Sequence, residues 1–364
     1  MFRGLTVAAM LLVNDPGSWS HIYPPLRHAS WHGWTPTDLI FPFFLFIVGV
    51  TTHISLSARR ARGADDGQLT AQVLRRGGII ILLGLLLSAF PFFPVERITE
   101  LRIPGVLQRI GLVYLATGLL TLRTSARSEI AIVMLILAGY HVLLAAVPVP
   151  GVGHPALAPA DSTLPAWVDR RVLDGHLWPV TKTWDPEGLL PTLPAIATCL
   201  LGVIAGRWIT RPGPATRRVG GLLAAGAFGI AAGLVWNVVL PINKNLWTSS
   251  YVVFTAGAAC GVLAACMWLV DRREARWWTR PFVVFGVNPI VAFVGAEALA
   301  RLLYTVVRVS YRGETVPLQV AIYRSFFASW PSPEAGSLGF AVLIVLFWYA
   351  VLELLYRRGI VIRI

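Results

Sequence analysis

The sequence predicts an all-α, polytopic membrane protein with about ten transmembrane helices, forming one domain over residues 1–364. Three observations carry that prediction. The chain is 56% hydrophobic and only 13% charged, where an ordinary soluble domain carries about 25% charged residues. Its mean hydropathy is +0.67. Apolar runs near the length a helix needs to cross a bilayer, about 20 residues, recur along the whole chain.

The spans follow in order. The first runs from the start to about Val13 and is short for a crossing. The second is Thr37 to Ser57, the third Gly77 to Phe93, the fourth Pro104 to Leu122 and the fifth Ile130 to Val147. A polar loop follows, 148–187. The sixth span is Gly188 to Ile209, the seventh Val219 to Leu240 and the eighth Ser250 to Val270. The ninth, Pro281 to about Leu303, is interrupted at Asn288-Pro289. The tenth is Gly336 to Tyr356. Pro317 to Trp330 is apolar but short, which suits an interfacial or re-entrant helix. No cleavable signal peptide pattern is visible. Cys199, Cys260 and Cys266 all sit in apolar runs without metal-ligand spacing, and read as packing residues.

The net charge of +13 first suggests nucleic acid. Its placement argues otherwise, because the arginines are dispersed over many short loops instead of forming one footprint. Arg59, Arg60, Arg62, Arg75, Arg76, Arg123, Arg127, Arg207, Arg211, Arg217 and Arg218 share one side of a ten-span topology. Arg272, Arg273, Arg276, Arg280, Arg357, Arg358 and Arg363 join them. The positive-inside rule makes that side cytoplasmic, with both termini there. His28, His32, Asn14, the 148–187 loop and Lys244 then face outward.

The stretch His28-Ala-Ser-Trp-His-Gly-Trp-Thr-Pro-Thr-Asp38 places two histidines and a carboxylate at the membrane boundary. Histidine suits proton transfer near neutral pH, but His28 and His32 also fit an interfacial aromatic belt with Trp31 and Trp34. Asp38 reads as a helix-capping residue after Thr35 and Pro36, as a group orienting a histidine ring, or as both. The histidine pair has no third ligand in sight, so no metal is expected. Arg109 and Glu297 are intramembrane charges, which face a cavity, a partner or each other. Asn237, Asn288 and Gln108 are polar groups within spans, open to interhelical hydrogen bonding. Asp185-Pro186-Glu187 resembles a helix start with Asp185 as cap. Asn243-Lys244-Asn245 is a dense polar triplet suited to a sugar or an anion.

Several ordered motifs resemble those of the heparan-α-glucosaminide N-acetyltransferase family. They are Phe2-Arg-Gly-Leu-Thr6, Val13-Asn14, His28-Ala-Ser-Trp31, Gly33, Thr35 and Asp38-Leu39 with the Phe-Pro run after it. Arg102-Ile-Pro-Gly-Val-Leu-Gln-Arg109, Asp185-Pro-Glu-Gly188, Asn243-Lys-Asn-Leu-Trp247 and Gly286-Val-Asn288 complete the set. The resemblance implies transfer of an acetyl group from cytoplasmic acetyl-CoA to a glucosamine amine on the other side of the membrane. It implies that His28 is the catalytic histidine, with Asn14 and Asp38 as polar residues near it. Related enzymes suggest a homodimer. The family usually has Asp-x before Phe-Arg-Gly, so a start upstream of Met1 is expected. The animal enzymes carry an N-terminal lumenal region not matched here. A bacterial source would place the chain in the inner membrane and favour an amino sugar or cell-wall fragment as acceptor.

Together these readings make His28, Asp38 and Asn14 the catalytic candidates, with His28 as general base or as the carrier of the acetyl group in an acetyl-histidine intermediate. Arg109, Glu187, Asn243, Lys244, Asn245, Asn288 and Trp31 are the candidates for binding acetyl-CoA or acceptor. The alternative is a transporter or permease for a small sugar or anion, with Arg109 and Glu297 in its pathway.

Overall fold

The computed structural model describes residues 1–93, 96–272 and 277–362. Arg273, Arg276 and Arg363 of the basic-loop pattern lie outside the described residues. The helices among the described residues are α1 (Phe2–Asn14), α2 (Ile40–Arg60), α3 (Asp66–Ala89), α4 (Glu96–Thr99), α5 (Val106–Arg123), α6 (Ala126–Ala146) and α7 (Leu164–Leu173). They continue with α8 (Thr192–Ile209), α9 (Ala215–Trp236), α10 (Ser249–Met267), α11 (Arg280–Val287), α12 (Pro289–Arg301), α13 (Leu318–Phe326) and α14 (Pro333–Arg357).

Eight helices among the described residues are long and apolar enough to cross a membrane. They are α2, α3, α6, α8, α9, α10, α12 with its π-helical extension to Val306, and α14. Two of the ten expected spans stand apart. α1 has 13 residues, and α5 is diluted by Gln108, Arg109 and Arg123. The ninth expected span is two helices, α11 and α12, broken at Asn288-Pro289. Large apolar side chains lie bare on the bundle's flank, with Leu135 73%, Phe228 75% and Val235 73% exposed. In water such a surface would be costly; in lipid it is solvated.

Several boundaries differ from the sequence reading. α3 begins at Asp66, well before Gly77, because the Asp65 carboxylate caps the Gln68 N–H at 2.7 Å. Ser125 likewise accepts from the Ser128 N–H and starts α6 early. These helices run past the apolar stretch into polar turns. The short apolar segment near 317–330 becomes α13, entered by an antiparallel hairpin of β1 (Arg308–Tyr311) and β2 (Glu314–Pro317). The all-α expectation omitted that hairpin, whose turn places Arg312 and Gly313 at φ +52° and +86°.

α2 is the central post. It lies along α8 so closely that a Cβ at Gly49 would fall 1.9 Å from the Cys199 carbonyl oxygen. A Cβ at Gly202 would meet the Phe46 carbonyl oxygen at 2.0 Å. Small residues at such crossings let membrane helices gain packing that lipid cannot replace. α10 packs against α2, α8 and α9. The chain therefore zigzags between two ends: one collects the arginine-rich turns, the other collects the His28 loop, the 148–187 loop and the turn between α9 and α10.

Candidate active site

The Thr35–Asp38 step that opens α2 also builds the site. Pro36–Leu39 form a 3-10 turn running into α2, and Asp38 takes its third position. Its Oδ2 accepts the Thr35 N–H at 3.0 Å, the Ala29 N–H at 2.9 Å and the Thr35 hydroxyl at 3.1 Å. Its Oδ1 lies 2.6 Å from His28 Nδ1. Asp38 is therefore both cap and histidine support, while only 1% exposed. The Tyr251 hydroxyl donates to the Asp38 carbonyl at 2.5 Å, fastening the turn to α10.

The carboxylate accepts from His28 Nδ1, so the ring's in-plane acceptor is Nε2. Lys244 Nζ lies 3.1 Å from Nδ1 and 3.3 Å from Nε2, and 3.8 Å from Asp38 Oδ1. An in-plane approach at two such similar distances would collide with the ring carbon between the nitrogens. The ammonium therefore sits over the imidazole face, out of line with the Nε2 lone pair, and the His28 side chain is 46% exposed. Burial pushes the Lys244 pKa down, against the opposing pull of the Asp38 and Glu187 carboxylates.

Lys244 is held there by its own turn. Asn243, fully buried, accepts the Leu246 N–H at 2.9 Å and reaches His32 Nδ1 at 3.3 Å. Trp247 takes φ +49°, unusual for a bulky residue. Its indole donates to the Thr198 hydroxyl at 3.1 Å and packs edge-on to Phe41 and Tyr251. The Tyr140 hydroxyl closes the turn on the Leu246 carbonyl at 2.7 Å. His32 thus has a different partner from His28. Burial lowers its pKa, which favours the neutral ring.

A second group of charges stands beside this one. Arg102 donates to both Asp185 oxygens, at 2.6 and 2.8 Å, and to Glu187 at 2.6 Å. Burial opposes the Arg102 charge, but the two carboxylates prevail and hold its pKa above the usual arginine value. Asp185 does not cap a helix as expected, because α8 starts only at Thr192. It accepts the Glu187 N–H at 2.9 Å in an Asx turn instead. Arg109 Nη2 donates to the Gly188 carbonyl at 3.1 Å, and its guanidinium lies 5.2 Å from the centre of the Trp247 ring. Among the described residues it forms no ion pair with Glu297. Asp169, on α7, accepts the Leu189 N–H at 2.9 Å. Burial, then the adjacent Asp185 charge, pushes its carboxyl up to about 6.

The 148–187 loop is tied to the His28 loop by Trp31. Its indole donates to the Leu157 carbonyl at 2.8 Å and meets Trp184 edge-on at 5.4 Å. The structure thus gathers His28, Asp38, Lys244, Asn243, Trp31, Glu187 and Arg109 around one end of the bundle. Two expected members make no hydrogen bond to the His28–Asp38 pair among the described residues. Asn14 ends α1 and makes no side-chain hydrogen bond among the described residues. Asn288 lies at the α11–α12 break, where its amide holds the Ile360 carbonyl and the Ile362 N–H at 3.0 and 2.9 Å. Asn245 is half-buried beside Lys244, likewise without a side-chain hydrogen bond among the described residues. Arg102, Asp169 and Tyr251 were not singled out from sequence. Only Arg102 carried a signal, as the first residue of a motif with a second arginine one turn into α5.

Fold and site define a polytopic membrane protein with a histidine–carboxylate pair fixed where a helix enters the bundle. A model of the heparan-alpha-glucosaminide N-acetyltransferase catalytic domain matches residues 1–234, and the chain belongs to that family. The mouse heparan-alpha-glucosaminide N-acetyltransferase is 28% identical over 351 residues, covering 82% of this chain and 52% of the relative. The human protein of the same name is 29% identical over 349 residues, covering 81% and 52%. The chain spans about half the length of the curated relatives it matches.

Proposed function

We propose that this chain is a transmembrane acetyltransferase that moves an acetyl group from acetyl-CoA to the amine of an amino sugar or related glycan. The observation that carries this reading is the 2.6 Å His28–Asp38 contact on an imidazole that is 46% exposed. The acceptor's free amine nitrogen attacks the thioester carbonyl, and as the N–C bond forms neutral His28 takes the now-acidic N–H proton through Nε2, a role worth about 10²–10⁴-fold in rate. The C–S bond then breaks, and the departing thiolate takes the proton from the imidazolium. Asp38 keeps the ring in the required tautomer. Lys244, already beside the ring, offsets negative charge on the tetrahedral intermediate. Glu187, paired with Arg102 and near enough to pull on the Lys244 charge, is suited to accept an N–H of the acceptor's free amine.

Acetyl-CoA reaches the site from the arginine-rich end, which the positive-inside rule makes cytoplasmic. The acceptor meets His28 on the opposite side. Family membership favours this reading over a permease. The test supplies radiolabelled acetyl-CoA and glucosamine to the purified chain in vesicles. Wild type forms labelled N-acetylglucosamine, and His28→Ala loses about 10²–10⁴-fold of that rate. Undiminished transfer by the variant would remove His28 from the mechanism. Glucosamine uptake without acetyl-CoA would favour the permease.

A further inference from the structure

Far from the histidine site, an apolar groove of about 440 Å³ opens on the flank of the bundle between α6, α8, α9 and α10. Met134, Leu201, Ala225, Phe228 and Val253 are among its walls. It reaches Trp208, near the end of α8. The same Trp208 also walls a smaller hollow of about 80 Å³, formed with the 211–214 turn, Arg217 and Arg218. One indole therefore joins a hydrocarbon-lined slot to three guanidinium groups.

The small hollow is built for an anion. The Arg211 guanidinium lies over the Trp208 ring at 5.3 Å. Arg218 is anchored by a 3.1 Å bond from Nη1 to the Ile209 carbonyl, and its own carbonyl accepts the Trp208 indole N–H at 3.0 Å. Its Nε is nevertheless buried without a hydrogen-bond partner among the described residues, a state that normally costs stability unless an acceptor arrives. α9 starts at Ala215, so its positive end adds to the arginines. Among the described residues, no acidic side chain lines either hollow. The nearby Glu129 is already bound to Arg207 through both oxygens.

We propose that this composite pocket binds one anionic phospholipid of the surrounding bilayer. Its phosphate sits among Arg211, Arg217 and Arg218, and an acyl chain lies in the groove above Trp208. Basic hollows between membrane helices recognise lipid headgroups in this way, and each arginine contributes about fivefold in affinity near a membrane surface. The site is independent of the acetyl-transfer reading, because it rests only on the packing of four helices and one loop.

The test uses the full chain in nanodiscs of phosphatidylcholine, with phosphatidylglycerol titrated in and bound lipid counted by native mass spectrometry. One phosphatidylglycerol per chain is expected to persist where phosphatidylcholine dissociates. The double variant Arg211→Gln/Arg217→Gln, at two exposed positions, should weaken it about 25-fold. Ala225→Trp fills the groove and should expel the lipid while leaving the arginines intact; should it fail to fold, the arginine variant decides alone. Equal retention of both lipids overturns the proposal, as does phosphatidylglycerol binding unchanged in the arginine variant. Inorganic phosphate competing as well as the lipid would reduce the site to a simple anion hollow and also overturn it. Efficient disulfide formation between two Ala225→Cys chains would place a second copy in the groove and leave no room there for a lipid, which overturns it too.

Discussion

The two ends of the bundle handle buried charge differently. At the arginine-rich end, charges pair across neighbouring helices. Glu129 of α6 holds Arg207 of α8 at 2.7 and 2.8 Å. Glu353 of α14 binds Arg280 of α11 and Arg357 of its own helix. These carboxylates join two helix ends and do little else. At the histidine end, each carboxylate collects several donors, most of them from its own loop. Asp38 draws in Ala29, Thr35 and His28; Asp185 draws in Arg102 and the Glu187 N–H. The first arrangement fastens helices. The second fixes loops so that an imidazole edge and an ammonium face the same space, which is what a preorganised site requires.

The sharpest way to break this contrast is to remove one arginine from each end. Arg102→Met and Arg207→Met should each cost about 3–5 kcal/mol, because each leaves buried carboxylate charge unpaired. Denaturation in detergent measures that loss. In the folded fraction, however, only Arg102→Met should also depress acetyl transfer. Equal transfer by the two variants would show that the histidine end is as purely structural as the other. Lys244→Met comes next, with an expected loss of about 10²–10³-fold in turnover if its ammonium meets the developing oxyanion. Acetyl-CoA titrations should show the loss in kcat and little change in KM.

A smaller effect concerns pH. The Asp169 carboxyl is raised to about 6 by burial and by Asp185, against about 3.9 in an unfolded chain. A raised carboxyl stabilises the folded form fully below its unfolded value and loses that contribution as pH rises through about 6. The 148–187 loop should therefore hold better at pH 4 than at pH 7. Asp169→Asn should flatten that part of a melting-temperature profile, and an unchanged slope would assign it elsewhere. The smallest change belongs to Asn288→Ala, which should cost about 1–3 kcal/mol through the lost tail contacts. At the histidine end it should leave kcat untouched.

Much of this architecture is legible in the residues. Length and hydropathy mark the spans, and Asn288-Pro289 marks the break in the ninth. Thr35-Pro36-Thr37-Asp38 carries both roles of its aspartate, since a carboxylate at the third helical position also faces back over the preceding loop. What sequence does not reveal is pairing over distance. Lys244 meets His28 across 216 positions and Arg102 meets Asp185 across 83, and only the packing of α10 on α2 and of the 148–187 loop on α5 brings them together. The Asp185 cap reading failed because an Asx turn and a helix start use the same residue types. The β1–β2 hairpin had a turn signal in Arg312-Gly313, masked by the long apolar runs that dominate such a chain.

The close contact of α2 and α8 reaches further than packing. Asp38 belongs to the turn that continues into α2, so the imidazole it steers shares a rigid lever whose fulcrum is the Gly49–Cys199 crossing deep in the bundle. A genetic screen for inactive variants would thus return substitutions at Gly49 and Gly202 alongside those at His28. Such alleles would mimic active-site lesions while lying several helical turns from any reacting atom.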